Sequence, residues 1–272
     1  MSGLWPLTVR ELKKWVRNPT FFFTGLIQPI FWTALFGSAF DITKFLSGPS
    51  GSAAASFLLD GAPNYITYIV GGVLTTMGLF TAMFTGTQII FDRRLGPMGR
   101  FLSSPIRRNS IVFSKIISSV IRILPQVVIL VVAAYLIPNG LKFVHGFTIV
   151  DVLVMATAII LIAFIFSSIF SVIATRMTNM QSIFGIVNLI NLPLMFVSYA
   201  MFSKAMMADW LGNIAQYNPV SWSAEAIRTV IINGSLTSSQ WVQEGRWLGA
   251  LAALAAGLLL LTYYLVEKEI RD

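Results

Sequence analysis

The sequence predicts an all-α integral membrane protein, one membrane domain with six transmembrane helices, on three observations. Hydrophobic residues make up 56% of the 272 positions and charged residues only 11%, against roughly 25% charged in a soluble domain. Six apolar runs each approach the roughly 20 residues that carry a helix across about 30 Å of hydrocarbon. Lys and Arg are divided unevenly among the segments that join those runs, which fixes an orientation. No joining segment is long enough to bury a core of its own.

At the N-terminus, Leu4, Leu7, Leu12, Trp15 and Val16 interleave with Arg10, Lys13, Lys14 and Arg17. As a helix over 1–19 they give an apolar face opposite a basic one, and such a helix lies in the membrane interface; a frayed basic terminus is the competing reading. The first span is 20–40. It is longer than a signal-peptide core, and the small residues at 52–56 lie too far downstream for cleavage, so it is expected to be retained. The segment 41–63, rich in Gly, Ser and Ala, reads as a solvated tether. The second span is 64–91.

After it comes Asp92-Arg93-Arg94-Leu95-Gly96-Pro97-Met98-Gly99-Arg100-Phe101-Leu102-Ser103-Ser104-Pro105. Asp92 can cap a short helix, Leu95, Met98, Phe101 and Leu102 recur at three- and four-residue spacing, and Pro105 ends it. An apolar stripe on such a loop suits a partner surface, whereas its arginines would equally suit anionic headgroups. Spans three and four are 111–137 and 150–175. Lys115 and Arg122 open the third, either as anchors snorkelling to the interface or as relay groups. His145 falls in an outer loop and reads as solvent-exposed.

The fifth span is 181–202 and the sixth 247–266. Between them, in 203–245, Asn218-Pro219 breaks one helix and starts another, on which Trp222, Ala226, Ile227 and Val230 share an apolar face. Two short helices dipping into the outer leaflet are expected. Glu225 and Arg228, three residues apart, would pair there, as a structural pair or as part of a gate.

With the N-terminus inside, the inner segments hold twelve Lys and Arg and the outer ones five, and six spans return the C-terminus to the cytoplasm. The absence of cysteine excludes disulfides, thiol catalysis and zinc–thiolate sites. With a single histidine and no two carboxylates in one span, neither a metal site nor an intramembrane acid pair is expected. The net charge of +8 does not point to nucleic acid, because the aromatic residues lie inside the apolar runs rather than among the basic residues. Membrane lipid is the expected partner of those basic residues. No G-x-x-x-x-G-K-[ST] occurs, so the chain is expected to bind no cofactor, hold no ATP and be no enzyme by itself.

Three stretches carry a resemblance: Arg100-Phe101-Leu102-Ser103-Ser104-Pro105-Ile106 followed by Lys115, Leu192-Pro193 through Ser198, and Asn218-Pro219-Val220-Ser221 followed by Glu225-Ala226-Ile227-Arg228. On these the whole chain resembles permeases of the type-2 ABC exporter family, most of all the daunorubicin-resistance type of multidrug permease. The resemblance implies that 1–19 is a connecting helix and 92–104 a cytoplasmic coupling helix docked on a separate ATPase through Asp92, Arg93, Arg94, Leu95, Met98, Arg100, Phe101, Leu102 and Ser103. It implies a smaller contact at 176–180, starting with Arg176, and an outer gate or brace made by Asn218, Pro219, Glu225 and Arg228. It further implies two ATPase subunits that hold ATP and Mg, a second permease copy, and a place in the cell membrane. A hydrophobic or amphiphilic passenger would move by alternating access between the first, second and fifth spans. Gln28, Trp32, Thr75, Thr76, Met83, Asn188 and Asn191 have the chemistry for that path, with helix packing as the alternative role of each. Pro29 and Pro193 would bend their helices, and Gly78, Ala82 and Gly86 would allow close helix contact. A lipid-linked glycan is the alternative passenger, and a non-transporting membrane scaffold the alternative of a different class.

Overall fold

The structure, a computed structural model, describes residues 3–39, 54, 56–94, 106–144, 146, 148–177, 179–233 and 236–269. Leu95, Met98, Arg100, Phe101, Leu102, Ser103 and His145 lie outside them. The described chain folds as α1 (Leu4–Val16), α2 (Pro19–Ala39), α3 (Tyr65–Arg94), α4 (Arg108–Leu136), α5 (Ile149–Arg176), α6 (Met180–Phe196), α7 (Asp209–Ala215), α8 (Pro219–Asn233) and α9 (Ser238–Glu269). No strand occurs among the described residues. By length and composition α3, α4, α5 and α9 can each cross a membrane, while the apolar helical stretches of α2 and α6, Gly25–Leu35 and Gln181–Phe196, are shorter.

The helix at the centre is α3, packed by α2, α4, α5, α6 and α8. Tyr68, Ile69, Leu74, Met77, Ile89 and Ile90 on it are all but inaccessible. Its small residues set how near the neighbours come. A Cβ on Gly72 would stand 1.7 Å from the Ala200 carbonyl oxygen, and one on Gly86 2.7 Å from that of Phe170. Any side chain at either position would push backbones apart. Facing outward, Val128, Val132 and Tyr135 on α4 and Leu260 and Tyr264 on α9 are exposed, an apolar exterior that suits lipid.

Three boundaries differ from the sequence expectation. The helix of the second run continues through Arg94, so Asp92 is an interior residue of α3 and caps nothing. The fifth run stops being helical at Phe196 rather than continuing to 202. Pro193 sits inside this helix and leaves the Leu189 carbonyl without its usual donor, and at the helix end Asn218 Nδ2 donates to the Leu194 and Val197 carbonyls at 2.8 and 2.6 Å, taking up helix-end acceptors. The final helix begins at Ser238, so 238–245 belongs to α9 and not to the outer segment 203–245.

Candidate functional site

One polar centre lies where α1, α3 and α4 meet. Lys115, two turns into α4, is 1% exposed and turned inward. Its Nζ makes an ion pair with Asp92 of α3 and stands 3.5 Å from Glu11 Oε1 of α1. Glu11 also takes Arg10 Nη1 at 3.2 Å, and Lys14 Nζ approaches Asp92 at 3.9 Å. Arg122, 6% exposed, gives Nη2 to Ser118 Oγ at 2.6 Å and to Gln88 Oε1 at 3.2 Å. Neither Lys115 nor Arg122 snorkels: carboxylates on two neighbouring helices, and an amide and a hydroxyl, meet them inside the protein. Burial of a Lys costs several kcal/mol unless it is paired and hydrogen-bonded, so Lys115 requires Asp92 and Glu11.

Glu11 has no counterpart in the sequence expectations. It lies one turn from Leu7 on the side of α1 that packs on α4. An acidic residue in line with buried Leu7 and Thr8, on a helix otherwise basic, was the available signal. Asp92 is 2% exposed and its carboxylate contacts Lys115 inside the protein.

Arg93 Nη1 donates to the Met177 carbonyl at 3.5 Å, directly after the exposed Arg176 that ends α5. The ends of α3 and α5 therefore lie side by side. This brings the start of the 92–104 segment next to the start of the 176–180 segment. Arg94 closes α3 in its backbone, and its side chain is outside the description.

A second polar centre lies at the opposite end of α3. Arg228 of α8 is 1% exposed. It pairs with Glu225 through Nη1, and donates Nε to the Tyr68 carbonyl at 3.3 Å and Nη2 to the Tyr199 carbonyl at 2.8 Å. Asn218 accepts the Val220 N–H at 2.9 Å, capping α8 at Pro219, the first helical residue. Ser221 Oγ accepts the Tyr199 N–H at 3.0 Å, and Tyr199 Oη donates to the Gly212 carbonyl at 2.8 Å. Asn218, Glu225 and Arg228 thus hold the turn after α6 against α3 and α8. Tyr68 and Tyr199 were not anticipated, because backbone carbonyls as arginine acceptors leave no mark in a sequence.

Between α2, α3 and α6 runs a groove that brings together Gln28, Trp32 and Thr76, with Phe80 and Met195 beside them. The other path residues are elsewhere. Thr75 Oγ1 bonds to the Gly71 carbonyl and to Ser223 Oγ, both at 3.0 Å, which ties α3 to α8. Met83 is buried, Asn188 is exposed on α6, and Asn191 is buried with Oδ1 lacking a hydrogen-bond partner.

The profile of the ABC-2 type transporter family matches residues 3–232. The chain is 25% identical over 265 residues to the ycf38 transport permease of Porphyra purpurea, covering 96% of this chain and 85% of the relative. It is 26% identical over 242 residues to that of Cyanophora paradoxa, covering 86% and 76%. To the daunorubicin resistance ABC transporter permease protein DrrB1 of Streptomyces coeruleorubidus it is 23% identical over 235 residues, covering 86% and 72%. With that profile spanning most of the sequence, its apolar helices and its permease relatives, the chain belongs to the ABC-2 type transporter family as one of its membrane permeases.

Proposed function

We propose that the chain is the membrane half of an ATP-driven exporter. Permeases of this family work with separate ATPase subunits. Two such subunits, holding ATP and Mg, would attach to a pair of permease copies in the cell membrane, with six spans per copy and both termini cytoplasmic. The passenger is hydrophobic or amphiphilic and moves by alternating access.

The observation that supports this most is the junction of α3 and α5. Arg93 on Met177 sets the two segments expected to meet an ATPase at one end of the protein. Three residues before 95–105, Asp92 is tied through Lys115 to α4, and Lys115 in turn meets Glu11 of α1. A push delivered to that loop would reach three helices together. The groove of Gln28, Trp32, Thr76 and Phe80 is almost wholly apolar and only about 20 Å³ in volume, so it marks where α2, α3 and α6 meet and is too small to hold a passenger as it stands.

The test is affinity purification of tagged permease from cells expressing it with candidate ATPase subunits that carry a phosphate-binding loop. A co-purifying subunit whose ATP turnover is stimulated by the permease supports the reading. ATP hydrolysis by permease alone, or a permease that brings down no ATPase, would sink it.

A further inference from the structure

The cations of α1 do not share the same neighbours. The 100° step of the helix sorts its residues onto three sides. Leu7, Thr8 and Glu11 are buried on the side that packs on α4. Trp5 and Val16 are 67% and 70% exposed, and with half-buried Val9 they make a second, apolar side. The third side carries Arg10, Lys13, Lys14 and Arg17, all of them exposed.

These four divide into two pairs. Arg10 and Lys14 border the buried side and turn to its carboxylates, Arg10 to Glu11 at 3.2 Å and Lys14 to Asp92 at 3.9 Å. Lys13 and Arg17 border the apolar side and make no ion pair among the described residues. Being one turn apart, their Cβ atoms stand about 5–6 Å from each other. Both line a space of about 470 Å³ that also touches Val9 and Asn18. Two exposed cations without a carboxylate thus stand at the edge of an exposed apolar strip.

We propose that Lys13 and Arg17 form a headgroup site for an anionic phospholipid, its phosphate held between them and an acyl chain laid along Trp5, Val9 and Val16. The guanidinium offers coplanar donors to two phosphate oxygens, and the ammonium one turn away adds a compact charge. Two full charges outweigh the partial negative charge of about one half at the helix C-terminus, where Arg17 is the cap. The apolar strip makes a membrane lipid, rather than soluble phosphate, the source of the anion, since a helix with basic and apolar sides lies at the headgroup boundary. The site goes beyond the permease reading and depends on no ATPase. It splits the basic residues of α1 into a pair that binds outward and a pair that closes the inner polar centre.

The test titrates the purified full chain, in a neutral detergent, with dioctanoyl phosphatidylglycerol, with zwitterionic dioctanoyl phosphatidylcholine and with glycerol 3-phosphate, and reads bound ligand by native mass spectrometry. The wild type should bind phosphatidylglycerol about ten-fold or more tightly than either other probe, as charge-assisted contacts plus a buried tail imply. Lys13→Gln with Arg17→Gln should bind the two lipids alike. Arg10→Gln with Lys14→Gln removes the same charge and should keep most of the preference, while unfolding at lower temperature. If that pair does not fold, Arg107→Gln with Arg108→Gln, two exposed cations at the start of α4, serves as the equal-charge control.

Equal affinity of the wild type for the two lipids overturns the site, as does an undiminished preference in the Lys13/Arg17 variant. The same loss in the Lys13/Arg17 variant and in the equal-charge control would mean diffuse attraction to a basic helix and no site. Glycerol 3-phosphate bound as tightly as phosphatidylglycerol would replace the lipid by a soluble phosphate. ATPase co-purification is scored separately: a Lys13/Arg17 variant that keeps its lipid preference and loses the ATPase would give this side to the ATPase and overturn the assignment to lipid.

Discussion

Arg228 lies over the ring of Tyr68 with its guanidinium carbon 3.6 Å from the ring centroid, and the same side chain donates to Tyr68's own carbonyl. One arginine therefore fastens α8 to α3 by a cation–π contact and a hydrogen bond, while its other nitrogens hold Glu225 and the Tyr199 carbonyl. A charge so buried adds stability only while every partner is present.

Arg228→Ala should destabilise the protein by about 3–5 kcal/mol, because it strands Glu225 and leaves two buried carbonyls without donors. Arg228→Lys should recover only a part, since a single ammonium cannot reach three acceptors and stack on the ring. Thermal unfolding of the purified chain, with yield as a second readout, measures both. A stable Arg228→Ala protein would mean that Glu225 finds another partner or takes up a proton at no cost.

Asn218→Ala should cost about 2–4 kcal/mol, the sum of a lost N-cap on α8 and two helix-end carbonyls at Leu194 and Val197 left unpaired. Asn218→Asp should restore the cap and not the two donations, and should fall between. The ordering is read from unfolding midpoints. An Asp variant as stable as wild type would show that the carbonyls are satisfied without the amide.

The four long apolar helices α3, α4, α5 and α9 were legible in the sequence because hydrophobic runs of span length have few alternatives in a membrane. The Glu225–Arg228 pairing was legible too, from spacing alone. The inner polar centre was not, for a physical reason: Glu11, Asp92 and Lys115 are far apart in the chain, and each looked like a local surface feature. Lys115 at a helix start reads as a snorkelling anchor, and Asp92 before a basic loop reads as a cap. Only the packing of α1 and α3 on α4 turns them into one buried cluster. The path residues failed differently. Thr75 and Thr76 are neighbours in sequence, yet a 100° step around the helix sends one to Ser223 and the other to the groove.

Lys115→Met alone should destabilise the protein by about 3 kcal/mol or more, and Asp92→Leu alone by a comparable amount, because each leaves a buried charge unpaired. The double variant should be more stable than the sum of the two losses predicts, by about 1–3 kcal/mol, the coupling of residues in contact. A double-mutant cycle on unfolding free energies gives the coupling directly. Additive losses would mean that Lys115 depends on Glu11 and not on Asp92.

The proposed orientation can be read with thiols, since the chain has no cysteine of its own. Asn213 and Arg107 are both exposed, and a cysteine at either is accessible to a reagent. In intact cells an impermeant maleimide should label Asn213→Cys, and Arg107→Cys only after permeabilisation. The reverse pattern would invert the topology and place the α3–α5 junction outside, away from ATP.

The last prediction separates an ATPase contact from a lipid contact in 92–104, most of which lies outside the described residues. Asp92 now belongs to the protein interior, and Arg93 has an internal partner in the Met177 carbonyl, so neither can report on docking. Phe101 and Leu102 can, and so can Arg94 and Arg100. If the segment docks in a groove of the ATPase, the apolar pair is the anchor. Removing a buried anchor at an interface centre costs about 2 kcal/mol or more, while a rim charge costs much less and acts on association rate. Phe101→Ala with Leu102→Ala should then lose the ATPase on purification, and Arg94→Gln with Arg100→Gln should keep it, with slower assembly that depends on salt. If the segment lies on anionic headgroups, each arginine contributes about 1 kcal/mol to that attraction, and the order reverses: the arginine pair weakens membrane association while the apolar pair leaves the ATPase bound. Co-purified ATPase and permease-stimulated ATP turnover, measured for both pairs at low and high salt, decide between the two. Retained assembly in the Phe101/Leu102 variant would remove the physical basis for an ATPase contact at this loop.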